Sequence, residues 1–145
     1  MAFTTFVGGD YYNLGWNMKA KVPKSGYTPA VGHLVILDSS IANGVDIITT
    51  NENPYGLVVS IDSWSSTNTT SPITVAELVP GTEIVLPTTG SIAKGDKIEY
   101  GGTALSTGVV PRTVVQTDNS NGVGVVVAAG AGESPAGANT AVVRF

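Results

Sequence analysis

The feature that most constrains the fold is a succession of short β-branched runs separated by Gly, Pro, Asn and Asp from about residue 30 onward. β-Branched residues favour extended backbone, whereas the separating residues favour turns. No window of ten or more residues repeats its apolar positions at helical spacing. The pattern predicts an all-β fold, a compact barrel or sandwich of about nine short strands at residues 34–37, 45–49, 56–61, 73–78, 83–86, 97–100, 113–117, 123–128 and 140–145.

A weak internal duplication runs through this β-rich region. Residues 30–37 are echoed by residues 93–100, residues 53–59 by residues 121–127, and residues 73–76 by residues 140–143. The echoes keep the same order at offsets of 63, 68 and 67 residues, which predicts two similar β-units packed together around a core that neither could bury alone. The alternative explanation is that any Gly- and Val-rich β-protein aligns to itself.

The first 27 residues differ chemically from the rest, because they hold six of the ten aromatic residues and three of the seven basic ones. The aromatic spacing fits neither a strand nor a helix, and glycines interrupt it. We therefore predict an extended N-terminal arm over residues 1–27 and a β-barrel or sandwich domain over residues 28–145. The alternative is an arm that wraps its own barrel and completes the core.

Aromatic side chains on an arm are suited to bind another protein surface, since Tyr and Trp are frequent anchors of interfaces. Neighbouring lysines would add charge to the same contact. The residues predicted to bind a partner protein or an adjacent subunit are Phe3, Phe6, Tyr11, Tyr12, Trp16, Lys19 and Lys21.

Trp64 is a second candidate, because it heads a neutral loop of Ser, Thr and Asn over residues 63–71. An exposed tryptophan in such a loop is suited to bind a sugar or a protein partner. The alternative, which we favour, is that Trp64 folds back onto the end of the barrel as a plug.

The parts expected of an enzyme are missing from the sequence. Cysteine is absent, the single histidine is His33, and no serine stands in a Gly-x-Ser-x-Gly context. We predict that His33 lies at the surface or in a turn. The sequence predicts no enzyme activity, no cofactor and no metal site.

Charge and hydropathy exclude two classes of partner. Only 12% of residues are charged and the net charge is −4, whereas phosphate binding requires clustered Lys and Arg. The apolar runs are too short to cross a bilayer, and the N-terminus lacks the pattern of a signal peptide. We expect no nucleic-acid partner, no membrane partner and a soluble protein made in a cytoplasm.

Four segments resemble the phage head-decoration, or capsid cement, proteins. In similar sequences a Gly-Asp pair opens a strand, and a Gly-Val-Val-like strand follows a turn-rich stretch. The resemblance covers about residues 30–145, and it departs from the family at His33, where Asp is expected, and in the aromatic arm. The segments that carry it are Val31–Asp38, Asn53–Val59, Lys94–Ile98 and Gly122–Val127.

The resemblance implies a structural virion protein that binds the major capsid protein on the outer surface of a phage capsid. It also implies a homotrimer that stabilises the expanded shell. One rival is a fibre or host-recognition module that binds cell-surface glycan through Trp64, which a glycan array would separate from a cement protein. A second rival is a hydrolase whose active site forms between subunits.

Overall fold

The structure, a computed structural model, describes residues 5–8, 17–48, 53–87, 92–100, 113–115, 123–130 and 140–145. These residues form strands and connections without a helix, so the predicted all-β class is confirmed. The strands are β1 (Thr5–Gly8), β2 (Met18–Pro23), β3 (Leu34–Asp38), β4 (Gly44–Ile47), β5 (Gly56–Ser60), β6 (Ile73–Glu77), β7 (Glu83–Pro87), β8 (Lys97–Tyr100), β9 (Thr113–Val115), β10 (Val123–Ala129) and β11 (Thr140–Arg144).

All nine predicted strands are present as β3 to β11, with ends that agree with the prediction to within two residues. Residue 49 and residues 116–117, which the prediction assigned to strands, lie outside the described residues. Residues 39–43 connect β3 to β4, and Asn43, the last of them, adopts a φ of +54° before β4 begins at Gly44. Asparagine tolerates this left-handed conformation better than most residues.

The strands form a closed barrel, in the order β2-β4-β3-β5-β6, and a six-stranded sheet, in the order β1-β7-β11-β10-β8-β9. Neighbouring strands are antiparallel except β2 and β4, whose parallel pairing closes the barrel. Two backbone hydrogen bonds make this closure, from Val22 N to Asn43 O at 2.9 Å and from Lys24 N to Val45 O at 2.8 Å.

The predicted duplication is confirmed by the strand order. The first unit, β2–β6, runs β4-β3-β5-β6-β2 across its sheet, and the second unit, β7–β11, runs β9-β8-β10-β11-β7. Val58 lies opposite Val75 in the first unit, as Val126 lies opposite Val143 in the second, and a β-bulge follows each pair. This register shifts the third echo by one residue, because Val75 corresponds to Val143 rather than to Val142.

The two units also share a pair of backbone hydrogen bonds between the turn that leads into β3 or β8 and the neighbouring strand, which we call the backbone crossing. Gly32 and Gly95 occupy this turn with φ of +96° and +92°, a conformation that favours glycine. In each unit the glycine N–H donates to a valine of the neighbouring strand, and that valine donates back to the residue after the glycine. The bonds are Gly32 N to Val58 O at 2.9 Å, Val58 N to His33 O at 2.9 Å, Gly95 N to Val126 O at 2.8 Å and Val126 N to Asp96 O at 2.8 Å.

Two clusters of buried apolar side chains stabilise the fold. The shared core takes residues from both units, which confirms the prediction of a joint core, and it contains Leu34, Ile48, Leu57, Ile84, Leu86, Ile98, Val126, Ala141 and Val143. The barrel core belongs to the first unit alone, and a second core of this kind was not predicted from the sequence. It contains Tyr27, Val35, Val45, Ile47, Val58, Ile73 and Val75.

The barrel begins with β2, ahead of the predicted boundary at residue 28. β2 pairs with β6 from Met18 to Lys21 and with β4 at Val22 and Pro23. Tyr27 is buried in the barrel core. The lysines of β2 concealed this strand, because they interrupt the apolar alternation by which strands are recognised in a sequence.

Candidate binding surfaces

The residues predicted on the arm fall into three groups. Phe3, Tyr11, Tyr12 and Trp16 lie outside the described residues. Phe6 belongs to β1, which pairs with β7. Lys19 and Lys21 lie on β2 in the barrel wall. Lys19 and Lys21 are therefore part of the barrel, and their predicted position on an extended arm was wrong.

The lysines of β2 lie on the side of the strand that faces the barrel core. Lys19 is opposite Val75 and Lys21 is opposite Ile73, and residues opposite each other in an antiparallel pair share one face of the sheet. Both lysines are half-buried. The Lys21 ammonium lies 5.1 Å from the centre of the Tyr55 ring, within the range of a cation–π interaction.

Tyr55 connects this lysine to an acidic neighbour. Burial raises the pKa of Tyr55, and the negative charge of Glu77 raises it further. Lys21 and Glu77 thus both lie near Tyr55, which packs against the barrel core.

A cleft of about 260 Å³ opens between the turn at residues 24–27 and the loop at residues 64–70. Tyr27, Ile41 and Trp64 give it an apolar lining. Hydroxyl and ammonium groups complete the lining, from Ser25, Thr69, Thr70 and Lys24. A cleft of this composition is suited to a small neutral ligand with an apolar face.

Trp64 is packed against the barrel core, which confirms the interpretation that it folds back onto the barrel. Its backbone N–H donates to Ile61 O at 3.0 Å. The indole Nε1 is buried and has no hydrogen-bond partner among the described residues. The side chain is only half-buried, so one part of the ring contributes to the cleft and the rest to the core.

His33 is completely buried, so a surface position is wrong, whereas the predicted turn is present, since His33 N donates to Ala30 O at 3.2 Å. The crossing between Gly32 and Val58 draws this turn against β5, and His33 packs beside Tyr27. The Tyr27 hydroxyl and His33 Nδ1 are hydrogen-bonded at 2.9 Å, and the two rings stack with centres 5.8 Å apart. Burial, aided by the charge of Asp46, raises the pKa of Tyr27, so the phenol stays neutral.

A three-residue ion cluster lies beside this pair. Lys24 Nζ is 3.3 Å from Asp38 Oδ2 and 3.3 Å from Asp46 Oδ2. Hydrogen bonds to Asp46 and then Asp38 raise the pKa of Lys24. This cluster was not predicted from the sequence, although the Asn43-Gly44 pair between the two β-branched runs is a turn signal that would bring Asp38 and Asp46 onto neighbouring strands.

Ser40 provides further contacts for one of these carboxylates. Its hydroxyl and its backbone N–H both donate to Asp38 Oδ1, and these bonds, with a smaller effect of Lys24, lower the pKa of Asp38. Across the described ranges, no three His, Asp or Glu side chains gather where they could hold a metal ion. Nor does this part of the chain contain a helix of the length and apolarity needed to span a membrane.

The fold and its surfaces define a class of protein, an all-β protein of two similar units with a barrel-end cleft. Comparisons with protein-family models, with curated proteins and with solved structures found no match.

Proposed function

We propose that the protein is a structural virion protein that binds the outer surface of a phage capsid and stabilises the expanded shell. The observation that carries this proposal is the position of the segments that resemble decoration proteins. Residues 31–38 and 94–98 hold the equivalent turns into β3 and β8, and residues 53–59 and 122–127 hold the strands bonded to those turns. The resemblance therefore falls on equivalent parts of both units.

The surface of the protein supports the same proposal. Charged residues are 12% of the chain, so a partner meets little charge that must be desolvated. Large apolar side chains exposed on the described residues are few, at Met18, Val31, Leu37 and Val125. Such a surface suits modest contacts repeated over many copies, because linked contacts act at high effective concentration.

The test is co-sedimentation of the purified protein with expanded, undecorated phage shells, followed by measurement of the melting temperature of the shells. We expect saturable binding to the major capsid protein, with a stoichiometry that fits trimers, and a raised shell melting temperature. An absence of binding to shells would overturn the proposal.

A deletion of residues 2–16 tests the contribution of the arm. β2 begins at Met18, so the barrel retains all its strands, and we expect loss of shell binding with the far-UV circular dichroism preserved. The milder double substitution of Tyr11 and Tyr12 by Ala is the matched control for damage to the sheet through loss of β1. Retained binding by both variants would show that the arm does not bind the shell.

The cleft beside Trp64 favours one alternative, a fibre or host-recognition module that binds cell-surface glycan. Its apolar lining and its threonine and serine hydroxyls match the two faces of a sugar ring. A glycan array with the wild-type protein and with Thr70→Val distinguishes the alternatives. A cement protein gives no signal, whereas a glycan-binding module gives a signal that Thr70→Val weakens.

A further inference from the structure

One edge of β2 pairs with β6 from Met18 to Lys21, whereas the other edge pairs with β4 only at Val22 and Pro23. Glu77 N donates to Asn17 O at 2.8 Å, so the backbone groups of residues 17, 19 and 21 point towards β6. Because backbone groups alternate along a strand, those of Met18 and Ala20 point to the outer edge. On that edge β4 pairs only with the last two residues of β2. Among the described residues, no strand pairs with the outer edge at Met18 and Ala20.

The second unit has the equivalent edge on β7, and there β1 pairs with it. Phe145 N donates to Thr82 O at 3.0 Å, which is the counterpart of the bond from Glu77 to Asn17. Glu83 and Val85 of β7 are therefore the counterparts of Met18 and Ala20. β1 pairs antiparallel with this part of β7, with Gly8 opposite Glu83 and Thr5 opposite Val85. The protein itself thus shows that a short extended segment fits this kind of edge.

One chain supplies one β1 but two such edges. If copies of the chain exchanged β1, each strand added to one edge would leave another edge without a strand. Exchange of β1 among copies of this chain therefore cannot fill the edges of β2 and β7 together. A segment of a different protein can fill the β2 edge while β1 stays paired with β7.

The chemistry of the edge distinguishes that segment from β1. Phe6 of β1 lies opposite Ile84, whose counterpart on β2 is Lys19. A residue opposite Lys19 is favoured when it is acidic, since opposite charges across a strand pair are stabilising. Met18 is 38% exposed and Ala20 is also exposed, so apolar or small neighbours suit the positions on either side.

We propose that the outer edge of β2 at Met18–Ala20 is the docking site for an extended segment of the shell protein, which joins the barrel as an antiparallel strand with an acidic residue opposite Lys19. The identity of the partner rests on the proposed function, whereas the open edge does not. Binding by strand addition uses backbone hydrogen bonds for affinity and side chains for selectivity.

Amide hydrogen exchange of the isolated protein, measured by NMR, tests the edge without any shell. We expect the amides of Met18 and Ala20 to exchange at least about tenfold faster than those of Lys19 and Lys21, because only the latter bond to β6. Protection of Met18 and Ala20 equal to that of their neighbours would overturn the proposal.

A synthetic peptide of residues 2–9 carrying Phe6→Glu serves as the probe of selectivity. We expect it to slow exchange at Met18 and Ala20, and to bind about two- to fivefold more tightly than the unsubstituted peptide, the effect of one favourable cross-strand pair. The protein variant Lys19→Glu should reverse the preference, towards a peptide with Phe6→Lys. Equal binding of all these peptides would contradict the role of Lys19.

Shell binding then tests the partner. Ala20→Pro removes the outward N–H and leaves the bonds to β6, as proline on an edge strand does, and Ala20→Val is the matched control that keeps the donor. We expect Ala20→Pro to lose shell binding at an unchanged melting temperature and Ala20→Val to keep it. Shell binding by a folded Ala20→Pro variant would overturn the docking site. Peptide binding without any shell binding by the wild type would contradict the proposed function and leave the edge as a site for another protein.

Discussion

The first and second units share strand order, register and a backbone crossing, yet the first closes into a barrel and the second forms part of an open sheet. One position explains part of this difference. Val22 N makes a closing hydrogen bond to Asn43 O, and the counterpart of Val22 in the second unit is Pro87. Proline has no N–H, so this bond has no equivalent there. Closure of a repeated unit therefore depends on a few edge residues rather than on strand order.

The turn before β3 and β8 shows a second difference. In the second unit, Asp96 Oδ2 accepts a hydrogen bond from Ala93 N at 3.0 Å and caps the turn at the surface. In the first unit, His33 takes the place of Asp96 and is buried against Tyr27. The same backbone thus carries a surface cap in one unit and a core residue in the other.

The largest expected effects come from the two cores. We expect Ile73→Ala in the barrel core and Ile84→Ala in the shared core each to lower the free energy of unfolding by about 2–5 kcal/mol. Because the shared core joins the units, both variants should unfold in a single transition, measured by urea denaturation with fluorescence and circular dichroism. Leu37→Ala, at a position 58% exposed, is the control and should change stability by less than about 0.5 kcal/mol. Two separate transitions for Ile73→Ala would show that the units are independent.

A pair of equivalent glycines gives the next largest effect. A Cβ at Gly56 would lie 2.4 Å from Val75 Cγ1, and one at Gly124 would lie 2.7 Å from Val143 Cγ1, the counterpart atom. Only Gly124 has a positive φ, of +71°. We expect Gly56→Ala to lose about 1–3 kcal/mol through overpacking. Gly124→Ala should lose about 1–2 kcal/mol more, since its left-handed backbone disfavours a side chain.

Gly81→Ala isolates the effect of backbone conformation. Gly81 has a φ of +91°, and a Cβ there would meet nothing within 4 Å. Its loss of stability in urea denaturation should equal the difference between Gly124→Ala and Gly56→Ala, about 1–2 kcal/mol. A larger loss for Gly56→Ala than for Gly124→Ala would mean that the two sites relax differently despite their common geometry.

The sequence was sufficient for the nine strands from β3 to β11, since each contains β-branched residues and lies between turn residues. It was also sufficient for the duplication, because the glycines at 32 and 95 mark turns that only glycine tolerates easily. It was not sufficient for β2, because Lys19 and Lys21 occupy positions on the core-facing side of the strand where an apolar residue is expected. Closure of the barrel and burial of His33 depend on contacts between residues distant in the chain, which periodicity does not report.

The smallest expected effect concerns the ion cluster, which the first unit alone contains, since Val114 stands at the counterpart of Asp46. Ser40 and, to a lesser extent, Lys24 lower the pKa of Asp38 below its ordinary value of 3.8. A carboxyl whose pKa is lower in the folded than in the unfolded protein contributes stability above the unfolded value. That contribution is lost as the pH falls through the folded value.

We therefore expect wild type to be slightly more stable than Asp38→Asn at about pH 6 and the difference to shrink as the pH falls below 3.8, as measured by urea denaturation across this range. The effect is small because water and salt screen charges near the surface. The contribution of Lys24 to stability has the opposite pH dependence. Because the pKa of Lys24 is raised, this contribution is complete below pH 10.5 and is lost as the pH rises further. Asp62→Asn, outside the cluster, is the matched control. A difference between wild type and Asp38→Asn that stayed constant from pH 6 to pH 3 would mean that Asp38 acts through packing or its turn rather than through its charge.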